Sequence, residues 1–364
     1  MPMQRYQRDL ARPDFRHDAA QEAAVRALQK VADGLRARYD AAREARGLSR
    51  LRLQKEMRRP VQGLYMWGGV GRGKTYLMDL FFESLPFRRK LRIHFHRFMQ
   101  RVHKELNDLR GTQNPLDIVA DRLHDEAVVI CFDEFFVTDI TDAMLLGGLF
   151  EKLFARGVTL VATSNIVPDR LYEHGLQRER FLPAIAMLKQ HCDVLNVDSG
   201  IDYRLRVLEK AELYHCPLDA GAETSLRQSF GELTSGLHVE CRPIVINDRH
   251  IDVIACTDDV LWTTFAELCV AARSAPDFIE LAREYHTVLL ANVPVMDDRL
   301  NDAARRFINL VDEFYDRSVK LIMSAEAPID GLYTGNKLAF EFQRTRSRLL
   351  EMQSQEFLAR EHRP

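Results

Sequence analysis

The chain of 364 residues is long enough for one elaborated domain or for two to three smaller domains, each with a core of its own. Its 46% apolar and 29% charged residues exclude a disordered or fibrous protein and predict a soluble globular one. The formal net charge of -2 argues against nucleic-acid binding over the whole surface, because such binding needs a basic face.

The amino-terminal region, residues 1–60, carries 15 Lys and Arg against 8 Asp and Glu. Apolar residues recur at spacings of three and four over residues 21–46, which predicts a long amphipathic helix. The basic excess fits a solvated helix face better than contact with an anionic partner. We find no apolar signal-peptide core and no run of roughly 18 apolar residues. The six scattered cysteines suit a reducing compartment, so we expect a cytoplasmic protein.

Residues 61–197 alternate between apolar strands and helices. Continuous apolar, β-branched runs are typical of parallel strands that are covered on both faces. Such strands are predicted at residues 64–67, 91–95, 128–132, 158–163 and 192–197. Helical spacing separates them at 76–84, 98–109 and 142–156. This alternation predicts right-handed βαβ units, and therefore an α/β domain with a parallel five-stranded core sheet.

The rhythm changes after residue 197. Short alternating pieces at 203–208, 238–243 and 250–255 predict an inserted antiparallel element. Helical spacing at 266–273 and 276–285 makes residues 198–285 an insertion of mixed strand and helix. Residues 287–293 are predicted to form a strand that returns towards the core. Helical spacing near the end of the chain predicts a C-terminal helical lid, so that residues 286–364 hold the return strand and the lid.

A glycine-rich loop follows the first strand. The sequence GGVGRGKT, residues 68–75, fits G-x-x-x-x-G-K-[ST] between a predicted strand and a predicted helix. Backbone N–H groups of such a loop wrap phosphates, and the helix start adds its positive dipole end. We expect Lys74 to bridge the β- and γ-phosphates of ATP and Thr75 to ligate Mg²⁺. The expected nucleotide-binding residues are Gly68, Gly69, Val70, Gly71, Arg72, Gly73, Lys74, Thr75 and Tyr76.

Two acids end the apolar run VVICFDE, residues 128–134. At the carboxyl edge of a parallel sheet, Asp133 is expected to hold Mg²⁺ and Glu134 to polarise the attacking water as general base. A strand that merely enters solvent is the plainer interpretation, which the phosphate loop disfavours. After the next strand comes Asn165, whose amide is expected to orient the water. The order of loop, DE strand and polar-ended strand favours the AAA+ class over small kinases and GTPases.

Two arginine pairs are candidates for contact with the γ-phosphate. Arg178 and Arg180, in GLQRERFLP, precede the fifth strand, from where an arginine finger would reach the ATP of a neighbouring subunit. Arg305 and Arg306 begin a late helix, and one of them would reach the same nucleotide from the lid. A solvent-exposed arginine is the alternative interpretation for each pair.

Three further features are interpreted as structural. His94 and His96 alternate on the second strand and would share one face, but no third metal ligand is evident. Phe98 and Met99 come directly after the second strand, where a pore loop is the alternative interpretation. They fit the core face of a helix better. The acids of VTDITDA, residues 137–143, are expected to cap the following helix.

Together these segments resemble one family, the ZapE cell-division ATPases of bacteria and their mitochondrial homologues. The resemblance implies an oligomeric Mg-dependent AAA+ ATPase that associates with the FtsZ division ring in bacteria and destabilises its polymers. Its motif G-L-Q-R-x-x-F-L-P implies Arg178 rather than Arg180 as the finger. Mitochondrial members imply the handling of membrane respiratory subunits instead, which leaves a peripheral membrane contact open. The matching segments are 63–82, 94–99, 131–146, 163–165, 175–185, 202–204, 291–298, 304–316 and 347–354.

The leading hypothesis is therefore a Mg-ATP-hydrolysing ATPase that remodels a protein assembly, with FtsZ as the first candidate and with ATP sites shared within a homo-oligomer. A helicase-loader-type ATPase that uses the basic amino-terminal region is the alternative. The net charge and the lack of a basic patch interleaved with aromatic residues disfavour it. A nucleotide switch without turnover is the third hypothesis, which the complete pair of acids disfavours.

Overall fold

The structure, a computed structural model, describes residues 1–12, 15, 17–46, 56–69, 72–198, 203–235 and 237–363. The chain divides into two compact units, residues 1–201 and 202–364. The amino-terminal helices belong to the first unit together with the phosphate loop, instead of forming a region of their own. No helix in the described ranges combines the length and the apolar character that crossing a membrane requires.

The first unit is built on a parallel sheet of five strands. The strand order is β2-β3-β4-β1-β5, and each adjacent pair is parallel, which confirms the predicted α/β fold with its parallel core sheet. Its elements are α1 (Pro2–Leu10), α2 (Ala19–Glu44), β1 (Gly63–Trp67), α3 (Lys74–Ser84), β2 (Lys90–His94), α4 (Phe95–Asp108), α5 (Pro115–Glu126), β3 (Val129–Asp133), α6 (Ile140–Ala155), β4 (Thr159–Ser164), α7 (Leu182–His191) and β5 (Cys192–Asn196).

The strand order decides which loops meet. Strands β3, β4 and β1 are consecutive neighbours, so the segments that follow them emerge side by side at the carboxyl edge of the sheet. One face of the sheet, which includes Ile130 and Phe132, packs into an apolar core with helices α4 to α7. Alternate residues of a strand point to opposite faces, so Cys131 and Asp133 lie on the other face of the sheet. This face lies towards α3.

The second unit contains another sheet with its own core. Strands β6, β12, β11 and β10 are parallel in that order, β9 is antiparallel to β10, and β7 and β8 form an antiparallel pair. The elements are α8 (Tyr203–Leu208), β6 (Tyr214–His215), α9 (Ala222–Leu233), β7 (Ile244–Ile246), β8 (Arg249–Ile251), β9 (Ala255–Cys256), β10 (Val260–Thr264), α10 (Ala275–Glu284), β11 (Thr287–Val293), α11 (Asn301–Asp316), β12 (Lys320–Ala325), α12 (Ala339–Met352) and α13 (Gln355–Leu358).

This second unit differs from the expectation in three respects. Strand β11 pairs with β10 and β12 and does not return to the first sheet. Residues 286–364 hold strand β12 as well as helices, so they are not a return strand with a purely helical lid. Residues 203–208, expected as a strand, form helix α8. Antiparallel pairing is present as predicted, in the short pairs β7–β8 and β9–β10 and in an isolated bridge between Glu240 and Cys256.

Candidate nucleotide-binding site

Glycines set the course of the phosphate loop. The N–H of Gly68 donates to the carbonyl of Ser164 at 3.2 Å, and Gly73 has φ 77°, in the left-handed region that favours glycine. Helix α3 begins directly after Gly73, and no described side chain caps it. Such a first turn presents backbone N–H groups where an anion is favoured. Two of the expected nucleotide contacts, Val70 and Gly71, lie outside the described residues.

Lys74 connects two of the predicted motifs. Its Nζ donates to the carbonyls of Gly68 and Gly69, both at 2.7 Å, and to Oδ1 of Asn165 at 2.8 Å. The contact with Asn165 is possible because β1 and β4 are neighbours that pair Trp67 with Ser164. The fold therefore brings together two expected site residues that are 91 positions apart.

The chain turns sharply where β3 ends. Glu134 has φ 50°, a left-handed conformation that is uncommon outside glycine. Its N–H donates to Oγ1 of Thr163 at 3.2 Å, and the next N–H, of Phe135, donates to the carbonyl of Thr163 at 2.7 Å. Both hydrogen bonds fasten this turn to the end of β4, two residues before Asn165. The expected general base is thus held at the same edge as the phosphate loop.

Asp133 lies in a buried ion-pair cluster. Its side chain is 7% exposed, and Nε of Arg92 lies 2.6 Å from its Oδ2 while Nη2 lies 3.4 Å from Oδ1. The same guanidinium contacts Asp79 of α3. Burial raises the pKa of Asp79, against the opposing effect of Arg92. Neither Arg92 nor Asp79 was among the expected site residues, although an arginine inside an apolar strand next to an acid-ended strand was a usable signal.

The amino-terminal helices hold the phosphate loop from outside. Asp18 caps α2 by accepting from the N–H groups of its first turn, which places Gln21 in that turn. Gln21 is buried, and its Nε2 donates to the carbonyl of Arg72 at 3.2 Å. Tyr76 donates from its hydroxyl to Oδ2 of Asp9 at 2.7 Å, and burial raises the pKa of Tyr76. The Tyr76 side chain thus packs towards these helices, and Gln21 is a further residue that the sequence analysis missed.

An acidic residue after β5 also contacts the loop. Oδ1 of Asp198 lies 2.8 Å from Nε of Arg72, and its Oδ2 accepts from the N–H of Gly69 at 3.4 Å. The contact forms because β5 is the neighbour of β1, so both strands end beside the loop. Asp198 carries no motif that would have pointed to this position.

The expected arginine finger lies in a short helix at residues 178–180. Arg178 is half-buried and donates to the carbonyl of Asp169, whereas Arg180 is exposed. The same segment exposes two apolar side chains, Leu176 at 69% and Leu182 at 44%. Arg178 is therefore more buried than Arg180 and is held by a hydrogen bond, while its role as a finger stays a prediction.

The two arginines expected to act from the lid belong to helix α11 of the second unit. Arg306 is half-buried, and its Nη1 donates to the carbonyl of Cys269 at 3.0 Å. Arg305, one position earlier, is exposed. Within its own unit, Arg306 therefore has a structural contact, and a contact of either arginine with the nucleotide stays a prediction.

The residues interpreted as structural have the following places. Phe98 and Met99 are buried in the core of the first unit, and Asp139 accepts hydrogen bonds from the first turn of α6 as its cap. His94 ends β2 while His96 lies in the first turn of α4, so the two do not share a strand face as expected. Burial lowers the pKa of His94 to about 4, which leaves this imidazole neutral.

The family model for AFG1-like ATPases matches residues 1–361 of the chain. The protein named Cell division protein ZapE of Escherichia coli strain K12 is 58% identical over 303 residues, which cover 83% of this chain and 81% of that protein. Lactation elevated protein 1 homolog B of Danio rerio is 38% identical over 344 residues, which cover 82% of this chain and 68% of that protein.

Among solved structures, AMPPCP-bound DnaA from Aquifex aeolicus is 14% identical with a TM-score of 0.35, and the match covers 56% of each chain. At this level the similarity carries no argument about function. The family model covers nearly the whole chain, and the relative from Escherichia coli is matched over most of its length. The chain is therefore a member of the AFG1-like ATPase family.

Proposed function

We propose that this ATPase couples the hydrolysis of Mg-ATP to the remodelling of a protein assembly, with ATP sites shared between identical subunits. The observation that carries the proposal is the junction at the sheet edge, where Lys74 meets Asn165 at 2.8 Å and the turn of Glu134 is fastened to the same strand end. The three motifs that an ATP-hydrolysing site needs are thus adjacent in space.

Magnesium fits the donors at this edge. Mg²⁺ prefers hard oxygen ligands, and the hydroxyl of Thr75 and the carboxylate of Asp133 are of that kind. Thr75 lies in the first turn of α3, and α3 packs against β3, which ends at Asp133. When bound, the ion would neutralise charge on the β- and γ-phosphates. We therefore assign Thr75 and Asp133 to the cation.

Lys74, Glu134 and Asn165 would bind the phosphates and activate the attacking water. The ammonium of Lys74 has three donors, so it can exchange loop carbonyls for phosphate oxygens while it stays beside Asn165. Glu134 would accept a proton from the attacking water, and Asn165 would orient that water. The hydrogen bonds that the N–H groups of Glu134 and Phe135 donate to Thr163 hold the backbone of Glu134 in place for this task.

A second copy of the chain would supply Arg178. This side chain is half-buried and its segment exposes Leu176 and Leu182, which would be covered in an interface between subunits. A guanidinium brought to the γ-phosphate spreads the charge of the transition state. The site would therefore be complete only in the oligomer.

The assembly that is remodelled is the least determined part of the proposal. The relative from Escherichia coli is named a cell division protein, and it shares 58% of its residues with this chain over the matched length. This supports a role in cell division, with the FtsZ ring as the first candidate partner. We expect the protein to act there in the cytoplasm. An FtsZ sedimentation assay with and without ATP tests that partner, while stimulation by single-stranded DNA would favour the helicase-loader alternative.

The test of the shared site is the ATPase rate per subunit against protein concentration. We expect the rate to rise with concentration, Glu134→Gln to lower it by about 10²–10⁴-fold, and Arg178→Ala to lower it by about 10³-fold or more. Arg180→Ala is the matched control in the same exposed segment and should keep its activity.

Mixing the two inactive variants separates a shared site from a site within one subunit. An intact base from the Arg178→Ala subunit would meet an intact finger from the Glu134→Gln subunit, so the mixture should regain part of the activity. A mixture that stays inactive, or an Arg178→Ala protein as active as wild type, would refute the shared site.

A further inference from the structure

Arg92 lies between two buried carboxylates on the face of the first sheet that meets α3. The side chains are 13% exposed for Arg92, 7% for Asp133 and 4% for Asp79. One edge of the guanidinium faces both oxygens of Asp133, and Nη1 contacts Asp79. None of these contacts has a task in the hydrolysis mechanism proposed above.

The position of this arginine relates it to the cation. Asp79 follows Thr75 by four residues, so the two lie on the same face of α3. Asp133 ends β3 in register with His94 of β2, two residues beyond Arg92 on the same strand face. Arg92 thus links the helix turn and the strand end to which we assigned the two Mg²⁺ ligands.

The charges of this cluster require a compensating cationic group. Asp133 and Asp79 are both buried and both contact Arg92. Without this cation, their negative charges would repel each other. A buried charge without a partner is strongly unfavourable, so either a proton, a metal ion or a fixed cation must compensate them. In the structure, the guanidinium of Arg92 does so.

We propose that Arg92 is a positioning residue that neutralises Asp133 and Asp79 as long as no divalent cation is bound, so that the cation would enter only together with ATP. The inference rests on the proposed function, because it takes Asp133 as a ligand of Mg²⁺. Phosphate oxygens delivered with the nucleotide supply the extra negative charge that makes the cation competitive with Arg92.

The test measures Mn²⁺ binding to the full chain without nucleotide, by the loss of the electron paramagnetic resonance signal of free Mn²⁺. Arg92→Gln removes the positive charge, so we expect one site with affinity at least about tenfold above wild type. Arg92→Lys keeps the charge and should resemble wild type. Arg92→Gln combined with Asp79→Asn removes one carboxylate and should lose most of the gain.

Two results would overturn the proposal. One is an Arg92→Gln protein that is folded by circular dichroism, binds ATP in the presence of a chelator, and binds Mn²⁺ no better than wild type. The other is an equal gain in Arg92→Lys, since that would show that shape and not charge closes the site. Neither readout depends on hydrolysis, so a chain that turns over no ATP would refute the proposed function and leave this result interpretable.

A second variant decides the question if Arg92→Gln does not fold. Asp79→Asn removes one of the two buried carboxylates that Arg92 contacts, so the guanidinium is shared less and its ion pair with Asp133 becomes harder for Mg²⁺ to displace. We expect the Mg²⁺ concentration for half-maximal ATPase rate to rise about three- to tenfold, while ATP affinity in a chelator stays within about twofold. An unchanged Mg²⁺ requirement overturns the proposal.

Discussion

Gly73 joins the phosphate loop to the helix that carries Lys74. Its φ of 77° places it in the left-handed region, and a Cβ at this position would lie 2.7 Å from Nε2 of Gln21. That amide is the group that donates to the carbonyl of Arg72. A side chain at position 73 would therefore strain the backbone and also displace the contact that holds the loop.

We predict that Gly73→Ala weakens ATP binding by at least about tenfold, because the loop cannot keep its course with an alanine in this conformation. Gly147→Ala is the matched control. Gly147 lies within α6, and apart from the chain next to it in this helix no described atom lies within 4 Å of its Cβ position. It should bind ATP normally and unfold at an equal or higher temperature, with a gain of about 0.5–1 kcal/mol. Calorimetric titration with ATP measures the effect, and normal binding by Gly73→Ala would contradict it.

The sequence predicts the role of a single residue where the local backbone or the chemistry of the site demands that residue type. The pattern around Gly73 and Lys74 identifies a phosphate loop because the backbone conformation itself requires those residue types. Partners such as Gln21 and Arg92 could not be assigned, since a contact across 51 positions depends on which helix the core places over the loop. Glutamine is common on any surface, so the sequence carries no local signal for Gln21. The position of Arg92 inside an apolar strand signals burial but does not name its partners.

Helix α10 is tied to the β7–β8 pair through one carboxylate. Oδ2 of Asp277 accepts from the N–H of Ser274 at 2.8 Å, which completes a capping box, and lies 2.6 Å from Nη1 of Arg249 in β8. Asp277 is 2% exposed, and the pKa of its carboxyl is lowered because its hydrogen bonds and Arg249 outweigh the opposing effect of burial. The start of the helix and the position of the strand pair thus depend on the same charge.

We predict that Asp277→Ala lowers the free energy of unfolding by about 1–3 kcal/mol at pH 7, the loss of hydrogen bonds to one buried charged group. Asp302→Ala, an exposed acid in the first turn of α11, should cost at most about 0.5 kcal/mol.

The effect of Asp277 should depend on pH. Because its pKa is lowered in the folded state, its contribution is fully present above the unfolded value of about 3.9 and is lost as pH falls through the lower folded value. Denaturant unfolding at pH 7 and at decreasing pH measures this. The gap between wild type and Asp277→Ala should narrow below about pH 4, and a constant gap would show that the carboxylate charge is not the cause.

Helices and strands were predicted correctly where an apolar run had one clear period. They were predicted wrongly where the run fitted both the strand period and the helix period. The run at 203–208 alternates as a strand would, yet Leu205 and Leu208 are three apart and pack together in the second unit, so the segment is helix α8. Strand β12 was missed because its position directly after α11 left no turn signal. Strands β1, β3, β4 and β5 of the first sheet had glycines or acids at or near their ends, which marked them.

At the scale of the molecule, each unit has an apolar core of its own. Phe132 and Phe150 are buried in the first unit, and Phe278 and Phe307 in the second. Both sheets are made of apolar runs that are typical of strands covered on two faces. Such a run predicts a buried parallel strand but does not name its neighbour, which is why β11 was assigned to the wrong sheet.

We predict that thermal unfolding by calorimetry shows two transitions, because two separate cores can lose their packing independently. Saturating ATP at 100 times its dissociation constant should stabilise the transition of the first unit, which holds the phosphate loop, by about 2.7 kcal/mol. Lys74→Ala should keep both transitions and lose the shift. One transition whose calorimetric and van't Hoff enthalpies agree would contradict the independence of the cores.

The hydrogen bond between α2 and the phosphate loop couples the two elements in both directions. Gln21 is fixed by the cap of α2 and holds the carbonyl of Arg72, so any change of the loop on nucleotide binding is felt by this helix. Thermodynamic linkage is reciprocal: a ligand that prefers α2 in one state of the loop must change nucleotide affinity by the same factor. The outer surface of α2 is thus a place where an effector could control the affinity for ATP without touching the nucleotide.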